Sequence, residues 1–187
     1  MRLALIPLLL LFAGCGATQT ASQFGEVKLV LPAQVSANDA GVYLATSRTY
    51  DEAEGAELVL SREGDADFRI TSDPPEGCVT VMAVVPPDKL VLCADEVILQ
   101  DDRARVLAVV RALQRGYTQA QLEPDEAISA MTSQIEGADQ ATLLAELDKD
   151  ASTWTAGQPF FGAVQRGDAT DSSIARDADE RRREGDH

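Results

Sequence analysis

Few side chains in this chain of 187 residues are suited to covalent chemistry: three cysteines, Cys15, Cys78 and Cys93, and one histidine, the terminal His187. A Ser-His-Asp or Cys-His mechanism needs an imidazole packed beside its nucleophile and oriented by a third group. A histidine closing a charged, polar stretch is badly placed for that. The same scarcity, with no paired cysteines at ligand spacing, points away from a zinc site, so neither a metal nor a cofactor is expected. Two acid–base arrangements remain open in principle: a pair of carboxylates, or a serine activated by a lysine. The 31 acidic residues make no pair stand out. No serine-to-lysine spacing of a hydrolase and no glycine-rich phosphate loop occurs. The acidic stretches DEAEGAE (51–57) and EGDADF (63–68) lack the alternating oxygen-ligand spacing and closing glutamate of a calcium loop.

Cys15 sits in a different context. Arg2 stands beside the amino terminus, an apolar run follows from Leu3 to Ala13, and small residues lead up to the cysteine. The run is too short to cross a hydrocarbon layer of ~30 Å and has the charge-then-apolar layout of a secretory leader. With Ala13 and Gly14 before Cys15 and leucines just upstream, residues 1–14 resemble a bacterial lipoprotein signal, with Phe12 standing where an aliphatic residue is usual. The resemblance implies that Cys15 takes a diacylglyceryl thioether and becomes the acylated first residue of the mature chain. Several acyl chains hold far more firmly than one, at ~0.8 kcal/mol per buried methylene. The expected partner is thus the membrane, reached through an amino-terminal lipid anchor. Gly16 follows the cysteine where an aspartate would bear on sorting, and in enterobacterial relatives of this signal that favours the outer membrane of the cell envelope over the inner one. The alternative is a secreted protein cut near Ala17.

Cys78 and Cys93 remain as a disulfide candidate in an exported domain. They flank a hairpin, CVTVMAVV and KLVLCA around PPD. If Val85 pairs with Leu90, Cys93 faces Met82 and Cys78 lies four residues further along, an offset of ~13 Å, against the ~7 Å limit of a disulfide. A bond then requires Cys78 to precede the strand, with PPEGC folding back. The other reading is two buried free thiols.

The charge balance, 16 basic against 31 acidic residues and a formal net charge of -15, argues against nucleic acid as a partner, since phosphate binding needs a concentrated cationic surface. Arg103, Arg105, Arg111 and Arg115 give one helix a cationic character. They could receive an anionic partner such as a lipid headgroup or an acidic envelope protein, although their spacing spreads them around the helix. The bland reading is a solvated face that complements the helix dipole.

Positioning these residues falls to a tether (15–24), one domain (25–165) and a charged tail (166–187). The tether is small and polar, with a reach of about 30 Å. The tail has almost no apolar content and is expected to be disordered. From Glu26 the runs EVKLVLP, GVYLAT, AELVLS and DFRIT, separated by turn residues, read as strands. After Asp95 the period changes. Val106, Val109, Val110, Leu113 and Tyr117 share one helical stripe with Gly116 as a stop. EPDEAISAMTSQIEG buries Ile128, Met131 and Ile135, ADQATLLAELD buries Leu143, Leu144 and Leu147, and STWTA reads as a returning strand. PFFGAVQ then finishes the domain.

The stretch from Pro86 to Gln158 is similar to a repeating unit of uncharacterised exported proteins and lipoproteins of predatory and soil bacteria. In that unit a phrase like KLVLCADE, a strand end, leads into a helix, and one like ATLLAELDKDASTWTAGQP joins a leucine-rich helix to a strand with a central tryptophan, here Trp154. The resemblance implies an α+β domain and brings no catalytic residues. The expected architecture is α+β, a mainly antiparallel sheet with about three helices packed on one face. The expected role is a membrane-anchored, non-catalytic binding or protein-interaction module, with an envelope hydrolase as the alternative.

Overall fold

A computed structural model describes residues 22–85 and 89–154. The leader, Cys15, most of the tether, PFFGAVQ and the tail lie outside the described residues.

The domain is α+β. Strand β1 (Glu26–Val30) alternates, with Val27 and Leu29 buried and Glu26 and Lys28 exposed, the period of a sheet covered on one face. A single 3-10 turn (Ala37–Asp39), α1 (Ala40–Ser47) and α2 (Tyr50–Ala53) then lead to β2 (Glu57–Ser61), followed by β3 (Phe68–Thr71), β4 (Cys78–Val85) and β5 (Leu90–Asp95). The spatial order is β2-β1-β3-β5-β4. β1 pairs in parallel with both β2 and β3, whereas β5 is antiparallel to β3 and β4. The sheet is therefore mixed, not mainly antiparallel as expected. The correction starts at GVYLAT, which is helix and not strand. Every residue from Ala40 to Ala45 is buried, so the run carries neither a period of two nor a period of 3.6, and periodicity cannot separate the two conformations. As a helix it supplies the crossover that a parallel pair demands.

The connection from β2 to β3 is short, although it passes the end of β1. It can be short because β2 ends level with Val30 (Val30↔Ser61), while β3 begins level with Leu29 (Leu29↔Phe68), so no return along the sheet is needed. Asp67 fastens the arrival: its N–H donates to the Lys28 carbonyl at 3.0 Å and its carboxylate accepts from the Lys28 N–H at 2.8 Å.

In the β4–β5 hairpin Val85 does pair with Leu90, but irregularities between Ala83 and Val85 and between Thr80 and Met82 shift the register. Met82 then faces Leu92, and Cys93 faces Thr80, not Met82. Each bulge places an extra residue on β4. Together they convert the expected four-residue offset into a diagonal of two, with Cys78 still inside the strand. The Cα atoms stand 5.5 Å apart and the sulfurs are bonded at 2.02 Å.

The described residues carry six α-helices where about three were expected. The first long helix divides at Asp102 into α3 (Glu96–Asp101) and α4 (Arg103–Leu122). Asp95 accepts from the Val97 N–H at 2.8 Å and Asp102 from the Arg105 N–H at 3.1 Å, so the two acids are separate N-caps. Gly116 does not stop α4. A Cβ there would lie 2.1 Å from the Gly41 carbonyl oxygen, so the glycine is where α4 crosses α1 at close range. Pro124 instead opens α5 (Pro124–Thr132). In α6 (Gln140–Asp150), Leu143 and Leu147 are buried and Leu144 lies at the margin. The described part of STWTA is a 3-10 turn (Ala151–Thr153) and Trp154, not a strand. Buried residues of these helices and of the inward sheet face form one core, from Leu29, Phe68 and Leu92 to Leu113, Ile128 and Leu147.

Candidate functional site

Because β5 runs against its neighbours, the carboxyl ends of β1 and β4 and the amino end of β5 meet at one edge of the sheet. Ligands of open sheets with crossover helices bind outside such carboxyl ends. There a cleft of about 390 Å³ opens, lined by Pro32, Gln34, Ser36, Asn38, Val85, Lys89, Leu90, Asp150 and Thr153. The loop after β1, the two ends of the hairpin and the end of α6 each supply part of it.

Asn38 is the best-held of these residues. Its backbone carbonyl accepts from the Tyr117 hydroxyl at 2.8 Å, and its side-chain oxygen accepts from Trp154 Nε1 at 2.9 Å. Tyr117 and Trp154 pack edge to face, centroids 5.1 Å apart, a preferred aromatic geometry. Burial pushes the Tyr117 hydroxyl well above its ordinary value, with the Asp39 charge adding to the rise, so it stays a donor. Oδ1 and the backbone carbonyl of Asn38 are thus both engaged by packed aromatic residues, while the residue itself lines the cleft.

A part-buried ion pair stands behind this wall. Asp39 is fully buried and takes Arg62 Nη2 at 2.9 Å. The guanidinium also donates to the Pro32 carbonyl and to the Tyr43 hydroxyl, the latter at 3.4 Å. Arg62 thereby ties the cleft residue Pro32 to the start of α1. Burial raises the Asp39 carboxyl above its usual value, and Arg62 pulls it only part of the way back. At the rim, Glu146 accepts from the Ala37 N–H at 3.4 Å and Gln121 donates to the Ala151 carbonyl at 2.7 Å, joining α6 and its exit to the rest.

The residues singled out from sequence lie elsewhere. Cys78 and Cys93 sit toward the far end of the hairpin, beside a second, polar cleft lined in part by Asp65, Arg69, Glu76 and Asp95. Arg105 pairs with Asp102 at 3.1 Å, Arg111 reaches Glu54 at 3.9 Å, and Arg115 stacks on the Tyr50 ring at 4.1 Å. Arg103 is exposed at the start of α4. The structure thus turns Arg111 and Arg115 onto α2 and gathers the four onto no common surface. Among the described residues no group of three or more His, Cys, Asp or Glu is placed to hold a metal ion. Asn38, Lys89 and Asp150 were missed in the sequence. The only signal was Asn38, within the SANDAG turn that follows β1.

Neither a protein-family model nor a curated protein sequence matches the chain.

Proposed function

We propose that this chain is a bacterial cell-envelope lipoprotein, held at the membrane through acylated Cys15, whose domain is a non-catalytic binding module working through the cleft at the carboxyl end of β1. The observation that carries the binding reading is the composition and support of that cleft. Its lining offers amides, hydroxyls, one cation and one carboxylate, held on one side by the Tyr117–Asn38–Trp154 contacts. Such a surface recognises a polar ligand by hydrogen bonds and charge. The anchor follows from the leader and Cys15, and the outer membrane from Gly16. Among the described residues no helix is long and apolar enough to cross a membrane.

The rival is a Ser-Lys envelope hydrolase, favoured by one observation: Ser36 and Lys89 line the same cleft. A lysine acts as base only within hydrogen-bond reach of the serine hydroxyl.

Two measurements test these readings. Labelled palmitate is expected to mark the wild-type chain in cells, and Cys15→Ser to abolish the label and release the protein from the membrane fraction. A wild-type chain that stays unlabelled and soluble removes the anchor. Hydrolysis of ester or amide substrates that disappears in Ser36→Ala would replace the binding module with the hydrolase.

A further inference from the structure

Resting on the binding reading above and deepening it, we infer that the cleft takes a short peptide with both ends free, its carboxylate on Lys89 and its ammonium on Asp150. Three observations converge on this ligand class.

The first is charge. Lys89 and Asp150 both line the cleft, yet among the described residues neither enters an ion pair, with the other or with a third group. In a chain with 31 acidic and 16 basic residues, a lysine without an acidic partner is the less expected of the two. Opposite charges that share a cleft without closing on each other are complementary to a ligand that carries both signs at its two ends. Such contacts are charge-assisted hydrogen bonds, stronger than neutral ones.

The second is the Asn38 amide. Its oxygen accepts from Trp154 and its main-chain carbonyl from Tyr117, and among the described residues its NH2 makes no hydrogen bond, which leaves that NH2 as a donor for a peptide carbonyl in the cleft that Asn38 lines. Gln34 adds a second amide to the lining. A group held by two packed aromatic residues donates without losing freedom on binding, which is what makes a preorganised contact effective.

The third is size and apolar lining. Pro32, Val85 and Leu90 supply aliphatic surface beside the polar groups, a place for a ligand side chain. The volume of about 390 Å³ falls in the range of small-ligand sites, about 300–1,000 Å³.

Trp154 provides the readout, because it is the only tryptophan and is bonded to Asn38. The full chain is titrated with alanyl-leucine while its tryptophan fluorescence is followed, then with the N-acetylated and the carboxamide forms of the same dipeptide, and with free leucine. Alanyl-leucine is expected to give a saturable change, and capping either end to weaken binding about tenfold or more, the scale of a lost hydrogen bond to a charged group. In Lys89→Gln the carboxamide penalty should vanish while the acetyl penalty persists, and in Asp150→Asn the reverse. These exposed or half-buried side chains make no ion pairs among the described residues, so circular dichroism of both variants should match the wild type. No saturable change with the dipeptide, or capped forms that bind as tightly as the free one, overturns the inference. So does binding of free leucine as tight as that of the dipeptide. If the dipeptide fails but a photo-crosslinker at Gln34 captures an envelope protein, the binding module stands and the peptide ligand falls.

Discussion

Asp39 carries the sharpest electrostatic conflict in the domain. It is fully buried, its Oδ2 serves Arg62 and the Ser36 N–H, and its Oδ1 has no hydrogen-bond partner among the described residues. Burial outweighs Arg62 and raises the carboxyl from its ordinary 3.8. Between 3.8 and the raised native value, the folded chain holds a proton that the unfolded chain has lost, so stability falls as pH rises through that window. Asp39→Asn has no such titration. The wild-type minus variant difference in unfolding free energy, from urea titrations between about pH 3 and about pH 7, should therefore decrease with rising pH and then level off. A flat difference would mean that Arg62 fully compensates burial. Tyr117 is a separate matter. Tyr117→Phe keeps the ring against Trp154 but removes the hydroxyl that holds Asn38. It is expected to cost about 1 kcal/mol, read as a lower urea midpoint at unchanged slope.

Glycine sets the distance between α1 and α4. A methyl group at Gly116 would meet the Gly41 carbonyl oxygen at 2.1 Å and Ala45 Cβ at 2.7 Å, and one at Gly41 would meet the Tyr117 ring at 2.4 Å. Replacing glycine with alanine inside a helix gains up to about 1 kcal/mol of propensity, yet a backbone oxygen at that range cannot yield as a flexible side chain does. Gly116→Ala is therefore expected to be destabilising by about 1–3 kcal/mol in urea unfolding. The hairpin permits a second estimate. Its disulfide spans a sequence separation of 15, so the Cys78→Ala, Cys93→Ala double variant should lose about 3 kcal/mol by chain entropy, measured by the same titration. These elements also show what the sequence could disclose. The stripe Val106, Val109, Val110, Leu113 and Tyr117 was legible because α4 keeps an exposed face, and Ile128, Met131, Leu143 and Leu147 were legible for the same reason, whereas Ile135, beyond the end of α5, and Leu144 are only partly buried. α1 was not, being buried from Ala40 to Ala45. Taken as a strand, the run leaves no crossover, makes neighbouring strands look hairpin-linked and yields the antiparallel expectation. The β4 bulges were invisible because they depend on pairing geometry, not on residue type. Asn38, Lys89 and Asp150 are each ordinary turn or surface residues locally. They become a site only when α6 ends beside the carboxyl end of β1.

At the scale of the whole molecule, the surplus of acid decides how the chain responds to its medium. The formal net charge is -15, while the ion pairs among the described residues are few and, apart from Asp39 with Arg62, exposed or half-exposed, such as Arg48 with Glu123 at 3.2 Å. Exposed pairs contribute about 0–1 kcal/mol each, and salt weakens them. Salt also screens the repulsion among the remaining carboxylates, which opposes the compact state. The two effects have opposite sign. With nearly two acidic residues for each basic one, unpaired acids outnumber the pairs, so relief of repulsion should win. The screening length falls from about 30 Å at 0.01 M salt to about 3 Å at 1 M, which reaches separations typical of neighbouring surface carboxylates. Thermal unfolding in sodium chloride between these limits should show a midpoint that rises with concentration, most steeply at the low end. Urea is the denaturant for a parallel check, since guanidinium is itself a salt. A midpoint that falls with salt would mean that specific pairs, the part-buried Asp39–Arg62 contact foremost among them, outweigh the general repulsion.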